Sequence, residues 1–189
     1  MPLTTYVANE VLTAASLNNN FTFAAANPTG GLVRVGGGTL SGASTTFSSV
    51  FSATYDSYLI LVAGVYGSSS QNINVKLGST ATGYYWARNL TLTGSTTSIS
   101  GLANTSNFDD MGASGATLAN STALQFYLHN PFATQQTNLS WVHWGDANYY
   151  GVGAGQLRNS TSYTAFTITL GGGATFSGGT VNVYGYALS

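Results

Sequence analysis

From about Leu32 to the C-terminus, apolar and polar side chains alternate in short runs. Ile73, Val75 and Leu77 interleave with Asn72, Asn74 and Lys76, and Leu124, Phe126 and Leu128 with Gln125, Tyr127 and His129. Phe166, Ile168 and Leu170 interleave with Ala165, Thr167 and Thr169, and Val181 and Val183 with Asn182 and Tyr184. Successive strand residues point to opposite faces, so each run predicts a strand with one buried face. Glycine-, serine- and proline-bearing turn signals separate the runs at 67–70, 78–83, 94–97, 130–131, 171–173 and 178–179. Many short strands at such spacing predict an all-β fold, an antiparallel jelly-roll-like β-sandwich over residues 31–189. The stretch 99–121, rich in Asn, Ser and Gly, reads as a long surface loop.

One run breaks the alternation. Tyr58, Ile60, Val62 and Tyr66 share one face, while Leu59, Leu61, Ala63 and Val65 share the other, so both sides call for cover. A two-layer sandwich covers only one of them. Leu59, Leu61 and Val65 are therefore the expected contacts with a second copy of the chain, or else a second face buried under the chain's own segments.

Residues 1–30 read differently. Thr13 can cap a short helical run through Ala14, Ala15, Leu17, Phe21 and the alanines at 24–26, stopped by Asn27-Pro28 and Gly30-Gly31. At most about four turns, weakened by Asn18, Asn19 and Asn20, cannot stand alone, which makes this segment an arm that orders against a partner.

Composition sharpens the picture. Only nine of the 189 residues are Lys, Arg, Asp or Glu, with a net charge of -1. The scattered Arg34, Lys76, Arg88 and Arg158 cannot supply the clustered positive field that phosphate neutralisation needs, so no nucleic-acid partner is expected. No apolar run approaches the roughly 18 residues of a spanning helix, which argues against membrane insertion, and Met1-Pro2-Leu3-Thr4 lacks the basic and apolar regions of a secretory leader. With no cysteine, thiolate metal sites and thiol nucleophiles are excluded. A surface solvated by hydroxyls and amides does little to repel its own copies.

Candidate chemistry is sparse, and no cofactor, metal or enzymatic activity is expected. Asp109-Asp110 are adjacent, so in a strand they would face apart and in a loop they would face water. His143 and Asp146, with His129 elsewhere, fall short of a three- or four-ligand metal set, and His143 reads as a hydrogen-bonded surface residue. Gly151, Gly153 and Gly155 form G-x-G-x-G, which lacks the spacing of a dinucleotide loop. The aromatics carry more. Trp141 and Trp144 fall on opposite faces of a strand, so at least one is core or interface. Trp144, Tyr149 and Tyr150, beside Asn148 and Asp146, suit a glycan, which offers C–H groups to a ring and hydroxyls to amides.

The opening TYVANEVLTAASLNNNF, residues 5–21, resembles the leading segment of bacteriophage tail-fibre and related virion proteins. FSATYDSYLILV (51–62), FYLHNPF (126–132), YTAFTI (163–168) and GTVNVYGY (179–186) are similar to a jelly-roll domain recurrent at the C-termini of phage structural proteins. The resemblance implies a homotrimer on the exterior of the virion, without catalysis. Its arm would dock on a tail, portal-neck or major capsid protein, with Val11, Leu12, Leu17 and Phe21 as the attachment residues. The resemblance allows two roles: a short tail or head appendage whose tip binds a host surface glycan, or a capsid decoration protein that clamps capsomers. The chain has no shaft between arm and jelly roll, which keeps the second role close to the first.

Overall fold

A computed structural model of the protein describes Ala15 and residues 31–94, 97–145 and 149–186. The attachment residues expected in the arm, Val11, Leu12, Leu17 and Phe21, lie outside the described residues, as does Asp146.

Eleven strands succeed one another along the described chain: β1 (Leu32–Thr39), β2 (Ser44–Phe47), β3 (Ser57–Gly67), β4 (Ile73–Leu77), β5 (Tyr84–Leu92), β6 (Thr97–Thr105), β7 (Thr122–His129), β8 (Thr137–Gly145), β9 (Tyr149–Leu157), β10 (Phe166–Leu170) and β11 (Phe176–Tyr186). They form an antiparallel, jelly-roll-like β-sandwich. One sheet has eight strands in the order β1-β11-β3-β7-β8-β9-β5-β6, and the other has three in the order β2-β10-β4. The strands predicted from alternation at 73–77, 124–128, 166–170 and 181–183 lie within β4, β7, β10 and β11. Leu32 pairs with Tyr186, so the two ends of the sandwich lie side by side.

A single core fills the space between the sheets. Tyr58, Ile60, Val62, Leu124, Phe126, Leu128, Trp141, Val181 and Val183 from the large sheet meet Phe47, Ile73, Val75, Leu77, Phe166 and Ile168 from the small one. Phe166 joins the layers: its ring centroid lies 5.1 Å from that of Phe47, 5.7 Å from Phe51 and 6.0 Å from Phe126. Aromatic packing of this kind adds about 0.5–1.5 kcal/mol per pair beyond the area it buries.

The stretch 99–121 departs from the expected surface loop. Its first part is the end of β6, and its middle lies along the free edge of β4 as an irregular fourth strand of the small sheet. Phe108 and Val75 exchange backbone hydrogen bonds of 2.8 and 3.0 Å, and Met111 N–H donates to Ile73 O at 2.9 Å. Phe108 and Met111 are fully buried. The pattern is hidden because the pairing advances unevenly. Asp110 sits in the left-handed region at φ 59°, and its N–H donates to Asn74 Oδ1 at 3.0 Å.

Val65 is a second correction. Gly64 adopts φ 66°, and the pairing of β3 with β7 slips between Val62 and Val65. The extra residue of such a bulge inverts the facing of the residues beyond it. Val65 therefore turns into the core beside Val62 and is wholly buried, away from the second face on which strict alternation put it.

Candidate ligand-contact surface

Directly paired residues in an antiparallel sheet share a face, so the register shows what lies on the outer side of the large sheet. Trp144 of β8 pairs with Tyr150 of β9, and Val142 pairs with Val152. Across β9, Tyr150 pairs with Thr91 and Val152 with Asn89 of β5, and Asn89 in turn pairs with Ile99 of β6. Trp144, Tyr150, Val152 and Ile99 are 44, 50, 53 and 81% exposed, which makes them most of the large apolar side chains left in solvent among the described residues. Trp144, Tyr150 and Val152, with Asn89, Thr91 and Val142, line a shallow depression of about 230 Å³. That is smaller than the roughly 300–1,000 Å³ of an enclosed small-molecule site, so this is a contact surface rather than a pocket. Two guanidinium groups meet this face, Arg34 at the β1 edge and Arg158, whose Cζ lies 4.0 Å from the ring centroid of Tyr85 in β5.

The structure thus brings Trp144 and Tyr150 together, and it parts Tyr149 from them. Tyr149 pairs with Gly145 and Leu92 and faces the inner side, where it lines a depression with Arg88, Leu90 and Asp110. Trp141 and Trp144 occupy opposite faces, Trp141 in the core.

The remaining outer-face candidates lie on β3, nearer the β1 edge of the sheet. Leu59 is only 7% exposed, flanked in the ladders by Tyr127 and Tyr184. Leu61 is half-buried between Gln125 and Asn182. The chain therefore covers much of its own second apolar stripe, using tyrosines whose rings lie across it. Tyr127 and Tyr186 stack at 6.3 Å. The sequence pattern missed this cover because tyrosine in a strand counts equally as an inward or an outward residue.

The sparse chemical groups have structural partners. His143 is buried, contrary to its expected surface position, and its Nε2 lies 3.2 Å from Ala113 N and 3.1 Å from Ala113 O, joining β8 to the irregular strand. His129 Nδ1 meets Ser57 Oγ at 2.9 Å. Asp110 is ion-paired with Arg88. Burial raises the Asp110 carboxyl above the ordinary carboxylate value, Arg88 opposes this, and Asp109 reinforces it. Burial alone raises Asp109. Deep burial also raises Tyr84, whose hydroxyl oxygen accepts from Leu77 N–H at 2.9 Å.

The G-x-G-x-G run is the inward side of β9. A Cβ on Gly153 would fall 2.1 Å from Trp141 Cζ2, and one on Gly155 would fall 2.9 Å from Phe108 Cε1. The glycines leave room for two rings to lie on the strand backbone. Compared with known proteins, the chain matches no family model and no curated protein sequence.

Proposed function

We propose that this chain is a non-enzymatic structural protein of a bacteriophage particle. In this reading it stands on the virion exterior as a homotrimer, forming a short tail or head appendage whose Trp144–Tyr150 surface meets a host glycan. The carrying observation is the gathering of Trp144, Tyr150, Val152 and Ile99 on one sheet face, with Asn89 and Thr91 set among them. Rings flanked by amide and hydroxyl groups match the alternating C–H and O–H surface of a sugar. The resemblance of residues 5–21 and of the strand motifs to virion proteins supports the setting.

The trimer would form on the outer face of β3, β7 and β11, where Leu61, Tyr127, Tyr184 and Tyr186 remain partly exposed. Burying about 300 Å² of apolar surface per subunit there would contribute roughly 7 kcal/mol before association entropy is subtracted. Sedimentation at micromolar concentration is expected to give a three-chain mass, and a single-chain mass would overturn the assembly. Labelling the protein in intact particles separates its two possible positions. Signal on tail or head appendages supports the reading, and signal distributed over the capsid lattice replaces it with decoration.

A further inference from the structure

The large sheet overhangs the small one at its β5–β6 side, and the inner face of the overhang forms one wall of a cleft. Trp86 and Leu102, a cross-strand pair, line this wall together with Arg88. The opposite side is made by Asp109 and Asp110 of the irregular strand and by Gln71 and Asn72 before β4. The cleft comprises two adjoining depressions of about 410 and 380 Å³ that share Gln71, Asn72 and Asp110. Each reaches the volume typical of small-ligand sites. Three of the chain's nine formal charges gather here.

Two donors beside the cleft are unpaired. Trp86 is 6% exposed, and its indole N–H has no hydrogen-bond partner. Arg88 Nε is likewise buried and unpaired, although the guanidinium holds Asp110 through Nη2. A buried donor without a partner costs about 1–3 kcal/mol, and since neither atom is exposed to solvent, the two report on a change in the cleft wall rather than touch a ligand directly.

We infer that this cleft binds a neutral saccharide, with the Asp109 carboxylate and the Gln71 and Asn72 amides taking its hydroxyls and Leu102 lying against a C–H face. Charge excludes the other classes. An anion would meet two carboxylates and one guanidinium already engaged, whereas a metal cation would find Asp110 committed to Arg88 and Asp109 alone. An apolar ligand would strip water from the amides without replacing it. The two depressions give room for successive sugar units, the second beside Tyr149 and Leu90. This inference goes beyond the outer-face reading, since the cleft lies on the opposite side of the same sheet.

The three tryptophans make the test selective. In the ¹⁵N-labelled full chain, the indole N–H signals of Trp86, Trp141 and Trp144 are assigned by single Trp→Phe variants. The protein is then titrated with glucose, galactose, mannose, rhamnose, N-acetylglucosamine and their disaccharides to about 10 mM, tenfold above a Kd of about 1 mM. At least one sugar is expected to move the Trp86 signal saturably. Asp109→Asn should weaken that response about tenfold or more with the rest of the spectrum unchanged, and Gln71→Ala should weaken it too. The response should persist in Trp144→Ala. A Trp86 signal that no sugar moves overturns the inference, as does undiminished binding by Asp109→Asn and Gln71→Ala. A shift confined to Trp144 overturns it as well, while leaving the outer-face reading intact.

Discussion

Replacing Gly153 by alanine tests how the large sheet accommodates its aromatic core. The new methyl carbon would lie 2.1 Å from Trp141 Cζ2 and 2.5 Å from both Cε2 and Cη2, far inside carbon contact distance. Trp141 is buried across the ladder from Gly153. Neither relief is cheap, because sliding the ring disturbs the core and moving β9 disturbs its pairing with both β5 and β8. Overpacking of a filled core costs about 1–3 kcal/mol, and a clash this close belongs at the upper end. For a chain of this size each kcal/mol lowers Tm by roughly 2–4 °C, so a fall of about 5–12 °C is expected by calorimetry. Gly171→Ala is the control, because its Cβ would meet nothing nearer than 3.7 Å. Adding Trp141→Leu to Gly153→Ala should cost less than the sum of the two single changes, since the smaller side chain vacates the space. If Gly153→Ala melts with Gly171→Ala, or if the two changes at the pair are additive, the proposed ring-on-backbone packing is wrong.

The same geometry sets other outcomes. Tyr84→Phe keeps the edge-to-face contact with Phe108, at 4.9 Å and 89°, but leaves the buried Leu77 N–H without its acceptor. Urea unfolding should show a loss of about 1–3 kcal/mol. Asp109 is held above its ordinary value of 3.8 by burial, so the native state retains a proton that the unfolded chain has released. Its stabilising contribution is complete below the unfolded value and disappears as pH rises through the folded one, so wild type should lose Tm relative to Asp109→Asn as pH rises from below 3.8. Trp144→Ser combined with Tyr150→Ser removes two half-exposed rings and should cost no more than about 2 kcal/mol in thermal unfolding. The same double variant should abolish glycan capture by the outer face, read by biolayer interferometry on immobilised host polysaccharide.

The strands that could be read from sequence are those with one wet face. Ile73, Val75 and Leu77, or Leu124, Phe126 and Leu128, announce themselves because burial on one side alone produces alternation. β6 is hidden because nearly all of it is exposed, so nothing forces an apolar residue into every second position. β9 is hidden for the opposite reason: its inward positions hold glycines, and the apolar mass that should mark them is supplied by Trp141 and Phe108. The facing of Val65 is set by one left-handed glycine, a feature that period counting cannot detect. Pairing Trp144 with Tyr150 needs only a hairpin register, whereas the polar cleft draws on β5, β6, the irregular strand and the turn before β4. No local spacing encodes such a meeting.

The pairing of Leu32 with Tyr186 gives the molecule a polarity. Whatever is joined ahead of Leu32 or behind Tyr186 departs from one corner, while the overhang occupies the far margin and the Trp144–Tyr150 patch lies between the centre of the sheet and that margin. Seven inter-strand steps of about 4.8 Å separate β1 from β6, roughly 34 Å across a continuous hydrogen-bonded plate. Held by either end, the plate would hang like a pennant on a mast. Exchanging the tether should leave the flying edge undisturbed, and grafting that edge onto a new carrier requires a single point of fastening.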